Sequence, residues 1–168
     1  MHSISPHIRP MIRRDLLPVL DIEQLTNTRP WDEKDFIDYM KQRYNQGWVA
    51  EYREKVLGFM LYQNMSPERS EFILTELAVH PSFQRRGIGT TLVEHLIDNA
   101  MHNSIGSLVY YAFEDNLAGQ LFLSSNDFRA VKILKEFYSD VSDIVYEMRL
   151  TTAFDHVPST DSLVAGSE

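Results

Sequence analysis

The chain has 168 residues, 43% of them hydrophobic and 24% charged, which suits one globular domain with a substantial core. It has no cysteine, so disulfides, thiolate metal ligands and a cysteine nucleophile are excluded. Sixteen basic against twenty-four acidic side chains give a net charge of −8. That is the wrong sign for tracking nucleic-acid phosphates and a favourable one for a cationic partner such as an amine. No apolar run approaches the ~20 residues of a membrane span, and the first residues lack the pattern of a secretory signal. The expectation is a cytoplasmic protein with no membrane and no nucleic-acid partner, either a monomer or a homodimer. The six scattered histidines lack ligand spacing, so no metal is expected.

In chain order, an unstructured start precedes a short strand over residues 8–13. A helix follows with Leu16, Leu17, Val19, Leu20 and Ile22 as its apolar positions and Asp15 as its expected N-cap. After a turn at Pro30, Asp32 caps a second helix bearing Phe36, Ile37, Tyr39, Met40 and Tyr44. Residues 48–52 and 56–62 read as a hairpin, and residues 71–79 as the next strand, stopped by Pro81. From Gly87 a helical stripe runs through Ile88, Leu92, Val93, Leu96, Ile97 and Ala100. A strand over 108–113, a short helix over 116–125 and a final antiparallel pair over 128–138 and 144–150 complete a single domain at 8–150. The polar tail, 151–168, reads as disordered. This order suits a mixed α/β (α+β) sheet with helices on both faces.

The stretch that carries chemistry is Leu77-Ala78-Val79-His80-Pro81, two residues, then Gln84-Arg85-Arg86-Gly87-Ile88-Gly89-Thr90. A buried strand ends at a proline, and a loop with two arginines and two glycines opens directly into an amphipathic helix. The first turn of a helix offers backbone N–H groups and a partial positive charge to an anion. Glycines remove the Cβ that would hold a phosphate off. A simple turn with solvated arginines is the alternative. The segment is neither a nucleoside-triphosphate P-loop, since no Gly-Lys-Ser/Thr follows, nor a dinucleotide fingerprint, since a third glycine is missing.

Taken together these residues resemble the GCN5-related N-acetyltransferase (GNAT) superfamily, whose signature is Gln/Arg-x-x-Gly-x-Gly/Ala after a strand ending in Ala-Val-x-Pro. Within it the chain is most similar to the bacterial ribosomal-protein-alanine N-acetyltransferases, through Ile22-Glu23-Gln24, Pro30-Trp31, His95-Leu96-Ile97-Asp98 and Asn116. The resemblance implies a GNAT fold, a mostly antiparallel sheet of six to seven strands flanked by about four helices. It implies acetyl-CoA as cosubstrate and a primary amine as acceptor, a peptide N-terminus first and a small molecule second. Leu77, Ala78 and Val79 would bind the acyl-pantetheine arm through backbone groups, where a bulge splays this strand from its neighbour. Gln84, Arg85, Arg86, Gly87, Ile88, Gly89 and Thr90 would hold the pyrophosphate. Asn116 would bond the pantetheine arm, and an N–H near Val79 would stabilise the oxyanion.

Direct attack on a thioester needs a base to take a proton from the amine and an acid for the leaving thiolate. The related enzymes place a Glu on the strand after the central helix and a Tyr in the next short helix. Here those positions hold Tyr111 and Leu123. Glu76, one residue before Leu77-Ala78-Val79, is the best replacement base, with a strand-pairing or solvated role as its alternative. Glu114 and Asp115 are further candidates. Tyr138 follows Phe137 in a pair that resembles a peptide-lining Tyr-Tyr, where it would bind the substrate backbone or relay a proton, with packing on the sheet as its alternative; Tyr111, at the Glu position, is a further catalytic candidate. His95 reads as a surface residue. A non-catalytic acyl-CoA-binding module is the competing class.

Overall fold

The computed structural model describes residues 3–64, 70–135, 137 and 144–154. Among these, β1 (His7–Pro10), α1 (Leu16–Thr26), α2 (Glu33–Met40), β2 (Asn45–Tyr52), β3 (Lys55–Asn64), β4 (Glu71–Val79), α3 (Ile88–His102), β5 (Ser107–Phe113), α4 (Leu117–Ser125), β6 (Arg129–Lys135) and β7 (Ile144–Thr151) follow in order. The seven strands form one sheet in the order β1-β2-β3-β4-β5-β7-β6, and only the β4–β5 pair is parallel. That pair is joined through α3, the crossover a parallel connection requires.

Apolar alternation along the strands feeds two cores. On one face α3 lays Ile88, Leu92, Val93, Leu96 and Ala100 against Met60, Tyr62, Phe72, Leu74 and Leu108. On the other, Val19 and Ile22 of α1 and Phe36 and Tyr39 of α2 cover Val49, Phe59, Leu61 and Ala78.

The expected elements recur with small shifts. Strand β2 starts earlier, at Asn45, because residues 45–47 pair with Gln63, Tyr62 and Leu61. Asp32 caps α2 as expected, accepting the Asp35 N–H at 2.9 Å. Asp15 holds the N-cap position of α1, but its side chain makes no capping bond. It lies buried ahead of the helix, accepts the Ile12 N–H at 2.8 Å and takes both terminal nitrogens of Arg9 at 2.7 and 2.8 Å. His95 is also not a surface residue: it is half-buried, its ring 4.3 Å from that of Trp48, and its Nε2 lies 3.1 Å from Asn99 Nδ2. Strand β7 extends through Thr151, and Thr152 N–H donates to Gly106 O at 2.8 Å, so the start of the expected tail is tied to the sheet. Residues 138–143 and 155–168 lie outside the described residues.

Arg9 also bonds Glu51 of β2, so one guanidinium joins β1, the approach to α1 and β2. Burial pushes the Asp15 carboxyl up, but the bonds from Arg9 and the Ile12 N–H outweigh it and hold it below the usual carboxylate range. The side chain of Asp15 is only 3% exposed. Arg9→Ala therefore strands a buried carboxylate and is expected to lower stability by about 3–5 kcal/mol, read from the urea midpoint at unchanged slope.

Candidate active site

The site is an opening in the sheet, and a single extra residue creates it. Strands β4 and β5 pair only from Glu71↔Ser107 to Leu74↔Tyr110. At that point the register of β4 against β3 slips, so that Leu61 faces Glu76 but Tyr62 faces Leu74, leaving Thr75 as a bulge. Beyond it β4 stays with β3 and parts from β5. The closed end is pinned by Arg149 of β7, which bonds Glu71 of β4 and Ser107 Oγ of β5, each at 2.8 Å, and Glu147 at 2.9 Å.

The bulge also sets which side chains face which way. Phe72, Leu74, Leu77 and Val79 belong to the α3 face, whereas Ala78 belongs to the α1/α2 face. Thr75 and Glu76 turn toward α1 and α2 as well. The Tyr39 hydroxyl lies 3.1 Å from Thr75 Oγ1, and Asn27 Nδ2 lies 3.5 Å from Glu76 Oε2. Backbone groups alternate too. The His80 N–H donates to Leu57 O, back toward β3, so the amides of Leu77 and Val79 are directed into the opening and that of Ala78 toward Phe59. Of the three residues expected to offer backbone groups, Leu77 and Val79 have the orientation for it.

The α3 face of the opening carries the Gln84–Thr90 turn expected to hold an anion. Gln84 Nε2 donates to Val79 O at 3.0 Å, tying the loop to the end of β4. Arg85 and Gly87 both take left-handed backbone, at φ 61° and 86°. Gly87 is the N-cap of α3, no side chain caps it, and a Cβ there would meet open space. The first-turn N–H groups of Ile88, Gly89 and Thr90 thus stand ahead of a 15-residue helix. The Ile88 side chain is buried and anchors the turn. Arg85 is exposed. Arg86 is half-buried, its guanidinium 5.7 Å from the Phe83 ring, and its backbone O accepts the Ile4 N–H at 3.2 Å. Gly89 has a second reason to be glycine: a Cβ would lie 3.0 Å from Cζ of Phe122 on α4 and 3.7 Å from Val79 Cγ2. Asn116 caps α4 by accepting the Gly119 N–H at 3.0 Å, and its Nδ2 lies 3.4 Å from the Tyr110 hydroxyl on this face.

The α1/α2 face has a different character. The Glu76 carboxyl is pushed up to about 8, by burial first and by the nearby Glu23 second. Tyr111 stacks on Phe137 at 4.8 Å, and the Arg29 guanidinium from the α1–α2 loop sits 4.4 Å over the Phe113 ring. Glu114 and Asp115 are exposed, and Leu123 is buried in the core. Tyr138 lies outside the described residues. Three contributors to this face have no site role in the sequence reading: Glu23, which appears there only within the Ile22-Glu23-Gln24 motif, Arg29 and Phe113. For Glu23 a signal existed: it stands four residues after Val19 and beside Ile22, a carboxylate at an inward position of α1.

A family model described as the acetyltransferase (GNAT) family matches residues 16–128. The chain belongs to the GNAT acetyltransferase family. Its relatives include the [ribosomal protein bS18]-alanine N-acetyltransferase of Salmonella typhimurium, 32% identical over 125 residues, covering 74% of this chain and 81% of the relative. The crystal structure of the ribosomal-protein-S18-alanine N-acetyltransferase of Escherichia coli superposes with a TM-score of 0.75 at 26% identity, over 88% of this chain and 94% of that one. NAA60 of Arabidopsis thaliana, solved with a bisubstrate analogue, matches at TM-score 0.73 and 16% identity over 88% and 98% of the two chains, a likeness of fold alone. As a GNAT protein the chain is an acetyl-CoA-dependent N-acetyltransferase. The sheet of seven strands and the four α-helices among the described residues are the GNAT architecture the signature implied. No helix among those residues is long and apolar enough to cross a membrane, and no metal-ligand cluster occurs among them.

Proposed function

We propose that this GNAT protein acetylates the α-amino group of a protein N-terminus by direct attack on acetyl-CoA in a ternary complex. The observation that carries the reading is Glu76, a largely buried carboxyl beside the opening whose proton affinity is pushed up to about 8. An α-amino group titrates at about 7.7–8.0, so proton transfer from it to Glu76 is close to balanced. A lysine side chain, near 10.4, would have to give up its proton about 3 kcal/mol uphill. The relatives named above, alanine N-acetyltransferases of a ribosomal protein, point to the same class of acceptor.

In this reading the pyrophosphate rests on the first turn of α3 with Arg85 and Arg86, and Gln84 keeps the loop in place. The pantetheine arm runs along the β4 edge, bonded by the Leu77 and Val79 backbone and by Asn116. The thioester carbonyl then lies in the opening, where a backbone N–H of β4 favours the developing oxyanion. The amine enters from the α1/α2 face, gives a proton to Glu76 and attacks. As the C–S bond breaks, the nitrogen gives up its second proton, which is relayed to the leaving thiolate, and the neutral amide remains. Tyr111 or Tyr138 serves as the proton donor. Holding amine and thioester together supplies much of the rate.

The test is thiol release from acetyl-CoA with two peptides of one sequence: one with a free N-terminal alanine and a blocked lysine, the other with the N-terminus blocked and the lysine free. Release with the first at several times the rate of the second is expected near pH 8. Preference for the lysine peptide, or for a small polyamine over both, would overturn the N-terminal reading.

A further inference from the structure

Glu23 is wholly buried in α1, and its carboxylate is placed with unusual care. Oε1 accepts the Trp31 N–H at 3.1 Å and Asn27 Nδ2 at 2.9 Å. Oε2 is enclosed and has no hydrogen-bond partner among the described residues. The same Asn27 amide reaches Glu76 Oε2 at 3.5 Å, so one NH₂ group lies between two carboxyls, and Asn27 Oδ1 accepts the Arg29 N–H at 3.0 Å. Glu23 thus grips both ends of the α1–α2 loop, from Asn27 to Trp31, whose Arg29 lies over Phe113 on the far side of the opening. A helix needing only packing here would carry an apolar residue. A buried carboxylate with one oxygen unsatisfied costs stability and calls for another reason.

We propose that Glu23 is a positioning residue for the acceptor side: through Asn27 it holds the α1–α2 loop against the Glu76 carboxyl and makes the two carboxyls act as one proton-holding pair. The inference rests on the reading of Glu76 as the base. The groups around Glu76 are consistent with a pair. Glu23 and Asn27 come from α1, and Tyr39 comes from α2 with its hydroxyl on Thr75. The β3 neighbour opposite Glu76 is Leu61, Tyr111 stands on the β5 side of the opening, and the Arg29 cation is stacked on Phe113. Burial, with Glu76 adding to it, keeps the Tyr39 hydroxyl protonated well above its usual range. Glu23 is itself raised by burial but has two donors on one oxygen, so it is the member that keeps the negative charge and Glu76 the member that takes the proton. An acceptor arriving as an ammonium ion meets a net negative charge that attracts it and, above the Glu76 step, a Glu76 carboxylate free to receive its proton.

The test follows the carboxyl carbons by NMR across pH in the full chain labelled at glutamate Cδ, with Glu76 assigned through Glu76→Gln. In the unaltered protein the Glu23 and Glu76 signals should both register the step near pH 8. In Glu23→Gln, which keeps the shape and removes the charge, the Glu76 step should move to lower pH by about one unit. The acid limb of kcat/KM on the alanyl peptide should move with it. A Glu76 step that stays in place in Glu23→Gln, or a Glu23 signal blind to that step in the unaltered protein, would overturn the inference and leave a structural brace. Neither carboxyl measurement needs turnover. Failure of acetyl transfer to the peptides is read separately, by thiol release.

Discussion

Glu76→Gln is expected to lower kcat at pH 8 by about 10²–10⁴-fold, the range for loss of a general base, while the affinity for acetyl-CoA changes little. The two effects separate because Glu76 is turned to the α1/α2 face, whereas the turn proposed to hold the pyrophosphate and the Leu77 and Val79 side chains lie on the other. The acid limb of the unaltered enzyme should fall near pH 8, since the carboxyl must lose its proton to act as base. Stability supplies an independent check with the opposite sign of cost. A carboxyl raised in the folded state binds more protons there than in the unfolded chain. Stability therefore falls as pH rises from about 4.5 to about 8, through the window between the two values. Glu76→Gln removes that loss, so the variant should be at least as stable as the parent at pH 8 while being far slower. A variant that is slow because it is unfolding would fail this comparison, and an undiminished kcat would remove Glu76 from the mechanism.

Gly89→Leu should weaken acetyl-CoA binding by about tenfold or more in a calorimetric titration, with the fold retained. A side chain here begins 3.0 Å from the Phe122 ring, so α4 and the first turn of α3 must move apart or Phe122 must swing into the donor groove. Overpacking of this kind costs about 1–3 kcal/mol, which a domain of ordinary stability survives. Gly89→Ala, which asks Phe122 to give only a few tenths of an ångström, should fall between the two. Adding Phe122→Ala to Gly89→Leu tells why the glycine is needed: restored affinity assigns the effect to packing between helices, and continued loss assigns it to the phosphate itself. Unchanged affinity in Gly89→Leu would refute the placing of the pyrophosphate at this turn.

Much of this architecture was legible because periodicity is local. The α3 stripe and β4 from Glu71 to Val79 follow directly from where Leu, Ile, Val and Phe recur. The Gln84–Gly89 loop was legible for a similar reason, since a strand, a proline, two glycines and a striped helix specify one turn between them. Asp15 misled because an acidic residue before an apolar helix looks the same whether it caps the helix or meets an arginine six residues earlier. The roles of Glu23 and Arg29 are not legible in the sequence because their partners Glu76 and Phe113 are 53 and 84 residues away, and only the sheet brings them together. Thr75 hides its own importance: an unpaired extra residue has no distinguishing composition, only a change in which neighbours point inward.

The parting of β4 from β5 gives the sheet the role of a partition with a slit in it. In the proposed function the donor lies on the side of Gly87, Phe122 and Asn116, and the acceptor approaches on the side of Glu76, Arg29 and Tyr111. Two substrates that enter from opposite sides need not displace one another, and only the reacting atoms have to meet within the slit. Their products can leave the same way, each toward its own half of the solvent. On that reading an acceptor as bulky as a folded protein carrying an exposed N-terminus docks without disturbing a coenzyme already in place.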